Sequence, residues 1–307
     1  MIKVIQHRNI FLSFSGLLIA ASITGLILWG LNFGIDFKGG SMLEVKFENY
    51  NPSIAEIQDG IKEVNLSSLT IQPTEDSYIL RFVENSEESH ALVVSELKKM
   101  AEEKEGASFK ELQFDAVGPS IGKELKSKSF NASILAILMI ALYIAISFRK
   151  VSLPVASWKY GVSSIIALAH DIIIALGFFA FMGHFYGTEV NTTFIAAILT
   201  ILGYSINDTI VVFDRIRDNL PKSQETFENT VNISINQTLI RSLNTSLTVI
   251  LSLLAIYFFG GDSIKDFALA LIVGVISGTY SSIFVASPVL VIWDNITRAK
   301  KRKVAAK

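Results

Sequence analysis

Apolar and polar positions in this chain of 307 residues follow two different rhythms. The first is a set of long apolar blocks, at residues 10–31 and at about 130–148, 160–182, 192–213, 239–259 and 266–292. Each is long enough to cross a hydrocarbon core of about 30 Å as a helix. Six membrane spans are therefore predicted. The first block follows His7 and Arg8, and its small residues Ala20, Ala21 and Ser22 lie in its middle. A cleaved signal would put them after a shorter apolar core, so a retained anchor is expected.

The second rhythm fills the polar region between the first two blocks. Residues 42–48, MLEVKFE, alternate as a strand. Residues 53–64 open with Ser53 and Glu56 in capping-box spacing and repeat Ile54, Ile57, Ile61 and Val64 on one helical face. LTIQP and YILRFVE read as two strands around a turn at residues 74–77. Residues 87–104 read as a helix with Leu92, Leu97 and Met100 inward, and FKELQFDAV as a last strand. The order is βαββαβ, an α+β ferredoxin-like domain. The fold class is thus a polytopic α-helical membrane protein with one such domain between its first and second helices. The expected divisions are 1–37, amino terminus and first helix; 38–128, ferredoxin-like domain; 129–297, five further helices; and 298–307, a basic tail.

Composition agrees. Half of the residues are hydrophobic, 18% are charged and the mean hydropathy is +0.46, too apolar for a soluble domain. The net charge of −1 conceals a segregation. Basic residues cluster at Lys3 and Arg8, at Arg149, Lys150 and Lys159, at Arg215, Arg217 and Lys222, and in RAKKRK from Arg298 to Lys303. With the amino terminus in the cytoplasm, all four clusters fall inside, and the short outer loops near 183–191 and 260–265 carry only Lys265. The ferredoxin-like domain then lies outside the cytoplasm. The tail has three readings: contact with anionic lipid, contact with a partner, or topology signalling alone. No cysteine is present, which excludes disulfides and thiolate metal sites. GxxxxGK[ST], HExxH and GxSxG are missing, so neither an enzyme nor a bound nucleotide or other cofactor is expected, and no nucleic-acid partner.

Three spans hold ionisable groups away from their ends. His170 and Asp171 lie in the third, Asn207 and Asp208 in the fourth, and Arg241 in the fifth, followed by Asn244, Thr245 and Thr248. A carboxylate near the bilayer centre costs roughly 2.5 to 3.5 kcal/mol on insertion scales, so it faces a partner, a cavity or a proton path. Asp208 and Arg241 fall at similar depth. Two readings stay open: an ion pair that fixes helix register, with Asn207, Asn244 and the threonines as interhelical glue, or a proton site. In the second, burial and a nearby guanidinium act oppositely on a carboxylic acid, so moving Arg241 relative to Asp208 makes the acid bind or release a proton. One charge crossing 100 mV supplies about 2.3 kcal/mol, against roughly 5.5 kcal/mol to swing a two-state equilibrium from 1:99 to 99:1. A single proton biases such a machine only in part. For Arg241 a further reading is snorkelling to the headgroups. His170 and Asp171 are either a packed, mutually satisfied pair or an accessory site. Gly274, Ser277, Gly278, Ser281 and Ser282 form a small-residue face suited to close helix packing.

Four stretches carry a resemblance: FGIDFKGGSMLEV at 33–45, DAVGPSIGKEL at 115–125, GYSINDTIVVFDRIRD at 203–218 and NQTLIRSLNTSLT at 236–248. Together they resemble the SecF-like proteins of the SecD/SecF family, within the resistance, nodulation and division (RND) superfamily, over essentially the whole chain. The resemblance implies half of a twelve-span RND-type unit, with the large domain periplasmic in a bacterial inner membrane and both termini cytoplasmic. It implies assembly with SecD, with YajC and with the SecYEG channel, and use of the proton gradient for late-stage export of a translocating preprotein. Its proton-path aspartate falls on Asp208 and its essential arginine on Arg241, with a further path acid in SecD. Asp171, Asn207, Asn244 and Thr245 remain accessory candidates, and the transported ion is H+, with Na+ as the alternative. Gly39 and Gly40 are expected to form a turn into the outer domain. Two other functions stay open, an RND-type small-molecule exporter and a passive scaffold subunit.

Overall fold

The computed structural model describes residues 1–74, 76–147 and 155–305. Arg149 and Lys150 of the second basic cluster, and the tail's side chains beyond Ala299, lie outside the described residues, as does Glu75 in the turn expected at 74–77. The chain divides into two compact units, Met1–Asn32 with Asn131–Lys307, and Phe33–Phe130.

From the amino terminus, helix α1 (Arg8–Leu28) is followed by the short α2 (Ile35–Lys38) and strand β1 (Gly40–Glu48). Then come α3 (Ile54–Gly60), a 3-10 turn at Lys62–Val64, β2 (Thr70–Pro73), β3 (Tyr78–Phe82), α4 (Glu87–Glu102) and β4 (Ser108–Val117). Four helices follow: α5 (Pro119–Ser147), α6 (Ser157–Tyr186), α7 (Thr192–Asn219) and α8 (Phe227–Phe259). The last segment is α9 (Asp262–Ser281), a π-helical turn at Ser282–Ala286 and α10 (Ser287–Ala305). Among the described residues six helical segments are long and apolar enough to span a membrane, α9 through α10 counting as one.

The Phe33–Phe130 unit has the strand order β2-β3-β1-β4, all neighbours antiparallel. With its helices this is the βαββαβ arrangement that the alternating pattern predicts. Ser53 caps α3 in a complete capping box with Glu56. One face of the sheet packs Leu43, Val45, Leu80 and Phe82 against Ile57, Ile61, Val93, Leu97 and Ala101. Here the inner stripe of α4 differs from expectation. Val93, Leu97 and Ala101, spaced by four, face the core, whereas Leu92 is 48% exposed. One residue is a rotation of about 100°, enough to carry Leu92 off that face.

The glycine pair closes this unit. Gly39 (φ +80°) and Gly40 (φ +124°) both adopt backbone that side chains disfavour. A Cβ on Gly40 would lie 2.6 Å from the Phe82 carbonyl oxygen, and one on Gly39 3.0 Å from Pro119 Cα. Gly122 in turn faces the Phe37 carbonyl, which a Cβ would approach at 3.1 Å. The first and second recognisable stretches thus clasp each other where chain enters and leaves the unit.

In the helical unit, helices run past the apolar blocks that announce them. α5 begins at Pro119 because proline suits a first helical position and the polar residues that follow are good helix formers. α7 and α8 extend through polar turns for the same reason, and α8 is capped by Thr226. The amino-terminal segment is tied to the start of α8: Asn236 Oδ1 accepts from Ile2 N (2.7 Å), and Arg8 pairs with Glu228 at 2.5 Å. Lys159 at the start of α6 donates to Thr297 of α10 (2.7 Å). At the other end, Val190 N donates to Asn32 O (2.7 Å). Small residues let backbones approach: a Cβ on Gly177 would meet Ser22 of α1 at 2.2 Å, and one on Gly274 would meet Ile201 of α7 at 2.2 Å.

Candidate functional site

The polar interior of the helical unit is built around α7 and α9. Asp208 on α7 is 4% exposed. The groups that bear on its carboxylate are Ser242 and Arg241 on α8 and Thr279 on α9. None of them closes a hydrogen bond on Oδ2, which is buried without a partner among the described residues, as is Ser242 Oγ. Thr279 Oγ1 is engaged elsewhere, 2.5 Å from Ser246 Oγ and donating to Val275 O (2.8 Å). Tyr204, one turn before Asp208, donates to Ser246 Oγ (3.3 Å). More than about nine in ten buried polar groups are paired. A buried carboxylate oxygen without a donor is a place where a proton, an ion or a water has something to bind.

Arg241 stands beside this pocket without closing an ion pair among the described residues. Its side chain is exposed on the surface of α8, at the level of Asp208 and next to Ser242. Asn207 on α7, and Asn244, Thr245 and Thr248 on α8, are exposed as well. The structure therefore brings Asp208 and Arg241 together at one level, and sets Asn207, Asn244 and Thr245 on the outside of the α7 and α8 pair. Flanking them on α8 are exposed apolar residues, Ile240, Leu243, Leu247 and Leu251. An arginine, two amides and two threonine hydroxyls within helices apolar enough to span a membrane form a polar stripe on an otherwise apolar surface. Such a stripe is stable in a bilayer only under a protein partner or along a wet cavity.

Asp171 on α6 meets α7 at Ser205 and α9 at Ser277 and Ser281, and its surroundings are the reverse. It is 1% exposed and every lone-pair direction is used. Oδ2 accepts from Ser205 Oγ (2.6 Å) and Ser281 Oγ (2.7 Å), and Oδ1 accepts from Ser277 Oγ (2.7 Å) with His170 Nδ1 at 2.9 Å. His170 Nε2 is buried without a partner, its ring stacked on Tyr280 at 6.1 Å. The small-residue face of α9 thus has two uses. Its glycines pack, Gly278 admitting Ser205 where a Cβ would sit at 2.9 Å, while Ser277 and Ser281 bond a carboxylate. Sequence reasoning missed Tyr204, Ser242, Ser246 and Thr279, since hydroxyls within apolar helices are common. Their signal is spacing: Ser242 and Ser246 are one turn apart on α8 and face inward, while Arg241 and Asn244 are exposed.

Comparison with known proteins adds the family. The family model described as protein export membrane protein SecD/SecF, C-terminal, matches residues 96–296, and the SecD/SecF GG motif matches residues 30–49. A protein translocase subunit SecF from Thermobaculum terrenum is 42% identical, over 96% of this chain and 95% of that protein. Another, from Sebaldella termitidis, is 37% identical over 98% of this chain and 95% of its own length. Among solved structures, SecDF of Thermus thermophilus, described as a translocon-associated membrane protein, matches with a TM-score of 0.81 and 34% identity over 95% of this chain. This chain spans 38% of that one. A second SecDF structure, in a super-membrane-facing form, matches with a TM-score of 0.69, covering 98% of this chain and 40% of its own.

Proposed function

The chain belongs to the SecD/SecF family of protein-export membrane proteins, and from that premise we propose that it is the SecF-type subunit of a bacterial protein translocase. In this reading a SecD-type half, such as the remainder of the longer SecDF chains, covers the polar stripe of α7 and α8. The assembled unit lies in the inner membrane with the Phe33–Phe130 unit periplasmic and both termini cytoplasmic. It works beside the SecYEG channel with YajC, acting on the translocating preprotein. Its role is transport, and its driving ion is the proton, with Na+ as the alternative.

The observation that carries the reading is the incomplete bonding of Asp208. A carboxylate buried at membrane depth, with an unpartnered oxygen and a guanidinium beside it on an exposed stripe, is equipped to exchange a proton when a partner moves. Displacing Arg241 relative to Asp208 changes the charge balance of the pocket, so protonation and the docking of the partner half become linked. Work on the preprotein then follows from alternation between the two states.

Asp208→Asn keeps the shape of the side chain and removes its titration. In inverted membrane vesicles containing the partner subunits, the gradient-dependent part of late-stage export of a model precursor is expected to disappear while the complex still assembles. Unchanged gradient dependence reduces Asp208 to a packing residue and the chain to a passive scaffold.

A further inference from the structure

Two of the buried aspartates of the helical unit, Asp171 and Asp208, share the same two helices. Ser277 and Ser281, one turn apart on α9, both donate to Asp171. Thr279 lies between them in sequence, about 200° around the helix, and faces Asp208. On α7, Ser205 donates to Asp171, and Asp208 follows one turn later. Asp171 therefore grips the face of α9 opposite Thr279, and grips α7 on the face that carries Asp208, one turn earlier. Close packing transmits this hold. With Gly274 seated on Ile201 and Gly278 on Ser205, α7 and α9 have no slack between them in which one helix could turn alone. A third contact follows one turn on, where the Thr209 hydroxyl meets that of Ser282, the first residue of the π-helical turn, at 2.8 Å.

We infer that Asp171 is a positioning residue for the Asp208 site, a fixed acceptor on α6 that sets the rotation of α9 against α7 and so the approach of Thr279 to Asp208. Its four contacts, from α6, α7 and α9, leave no lone pair for a travelling proton. His170 completes the anchor. Its Nδ1 is used on Asp171, and its ring is held against Tyr280, whose hydroxyl donates to Phe11 O of α1 (2.8 Å). The inference rests on the reading of Asp208 as the proton-exchanging group. Among the described residues, the titratable groups that interact with Asp208 are Arg241 from α8 and Tyr204 from its own helix, while α9 presents the Thr279 hydroxyl.

The test uses the full chain with its partner subunits in membrane vesicles. Dicyclohexylcarbodiimide modifies protonated carboxyl groups in membranes, and peptide mass spectrometry measures the labelled fraction of Asp208 as a function of pH. Replacing Ser277 and Ser281 together by alanine leaves both aspartates in place. It is expected to displace the midpoint of Asp208 labelling by about one pH unit, a tenfold change in proton affinity, the scale of one hydrogen bond to a charged group. Asp171→Asn, which offers polar contacts to the same partners, is expected to keep a third or more of gradient-dependent export, and Asp171→Ala to keep less than a tenth. A lowered unfolding temperature with an unmoved labelling midpoint would show ordinary structural support and overturn the inference. So would export lost equally in Asp171→Asn and Asp171→Ala, the pattern of a proton carrier. Ser277→Ala alone replaces the double variant if the latter fails to assemble. If Asp208→Asn keeps its gradient dependence while the serine variants still move the midpoint, the export reading fails and the coupling of the two sites stands.

Discussion

Replacing the glycines with positive φ in the Phe33–Phe130 unit by alanine separates the cost of backbone strain from the cost of a clash. Gly106 (φ +76°) has open space within 4 Å of where a Cβ would sit, so Gly106→Ala costs only the left-handed conformation, about 1–2 kcal/mol. Gly39 (φ +80°) adds contacts of 3.0 to 3.3 Å with Pro119 and the Val117 carbonyl, which raises the loss to about 2–3 kcal/mol. Gly40 (φ +124°) lies outside the left-handed basin, and its Cβ would sit 2.6 Å from the Phe82 carbonyl oxygen. Relief there means opening the β1–β3 ladder, in which Ser41 is paired with Phe82. The sum for Gly40→Ala is about 3–5 kcal/mol. A unit of this size has about 5–15 kcal/mol in all. Hydrogen exchange by mass spectrometry on the full chain in detergent reads the loss at Leu43 and Leu80, a buried pair at the centre of the sheet whose exchange is expected to require opening of the whole sheet. Exchange in Gly40→Ala should quicken roughly 10²- to 10⁴-fold, and in Gly106→Ala roughly tenfold. Equal effects in the two variants would refute the argument and leave the glycine pair without a structural explanation.

Two further outcomes are expected. Gly274→Ala, whose Cβ would lie 2.2 Å from Ile201 Cγ1, should destabilise the helical unit by about 1–3 kcal/mol, seen as a lower unfolding temperature in detergent, whereas Gly203→Ala, with open space around it, should not. Burial pushes the Glu84 carboxyl up, but hydrogen bonds from Ser67 and from backbone amides outweigh it and hold the group below its usual range. A lowered folded-state value means that Glu84 stabilises the unit above the unfolded carboxylate range of about 4.3 and stops doing so as pH falls through the folded value. The stability gap between wild type and Glu84→Gln in denaturant titrations should therefore be full at pH 7 and narrow steadily below about pH 4.5; a gap independent of pH contradicts the assignment.

The coarse architecture was legible because both rhythms of the chain have simple physical causes. A bilayer demands about twenty apolar residues per helix, and a half-covered sheet demands alternation. Helix ends were less legible, because apolar composition marks where lipid begins and not where helical hydrogen bonding stops. Pro119 and Thr226 lie well outside the apolar blocks for that reason. The π-helical turn at Ser282–Ala286 left no mark, since its residues are ordinary for a span. On α4, Leu92 misled because a leucine is apolar wherever it points, and only its neighbours decide the face.

The site was legible by charge and illegible by hydrogen bonding. Asp171 and Asp208 look alike in sequence, each a carboxylate inside an apolar run. What separates them is the donors around each, which come from helices distant in the chain: Ser277 and Ser281 lie more than a hundred residues beyond Asp171. A carboxylate bonded by four groups from three helices is costly to move, which suits it to be a fixed point. One with an empty oxygen is poorly satisfied in its present state, and binding a proton or shifting a neighbour improves it. A machine that turns protonation into movement needs both kinds. On the proposed reading of Asp208, a proton arriving without a fixed point on α6 would relax its own pocket locally, whereas with α7 and α9 both held by Asp171 the same change would be directed outward to α8 and the exposed stripe around Arg241, where a partner half would feel it.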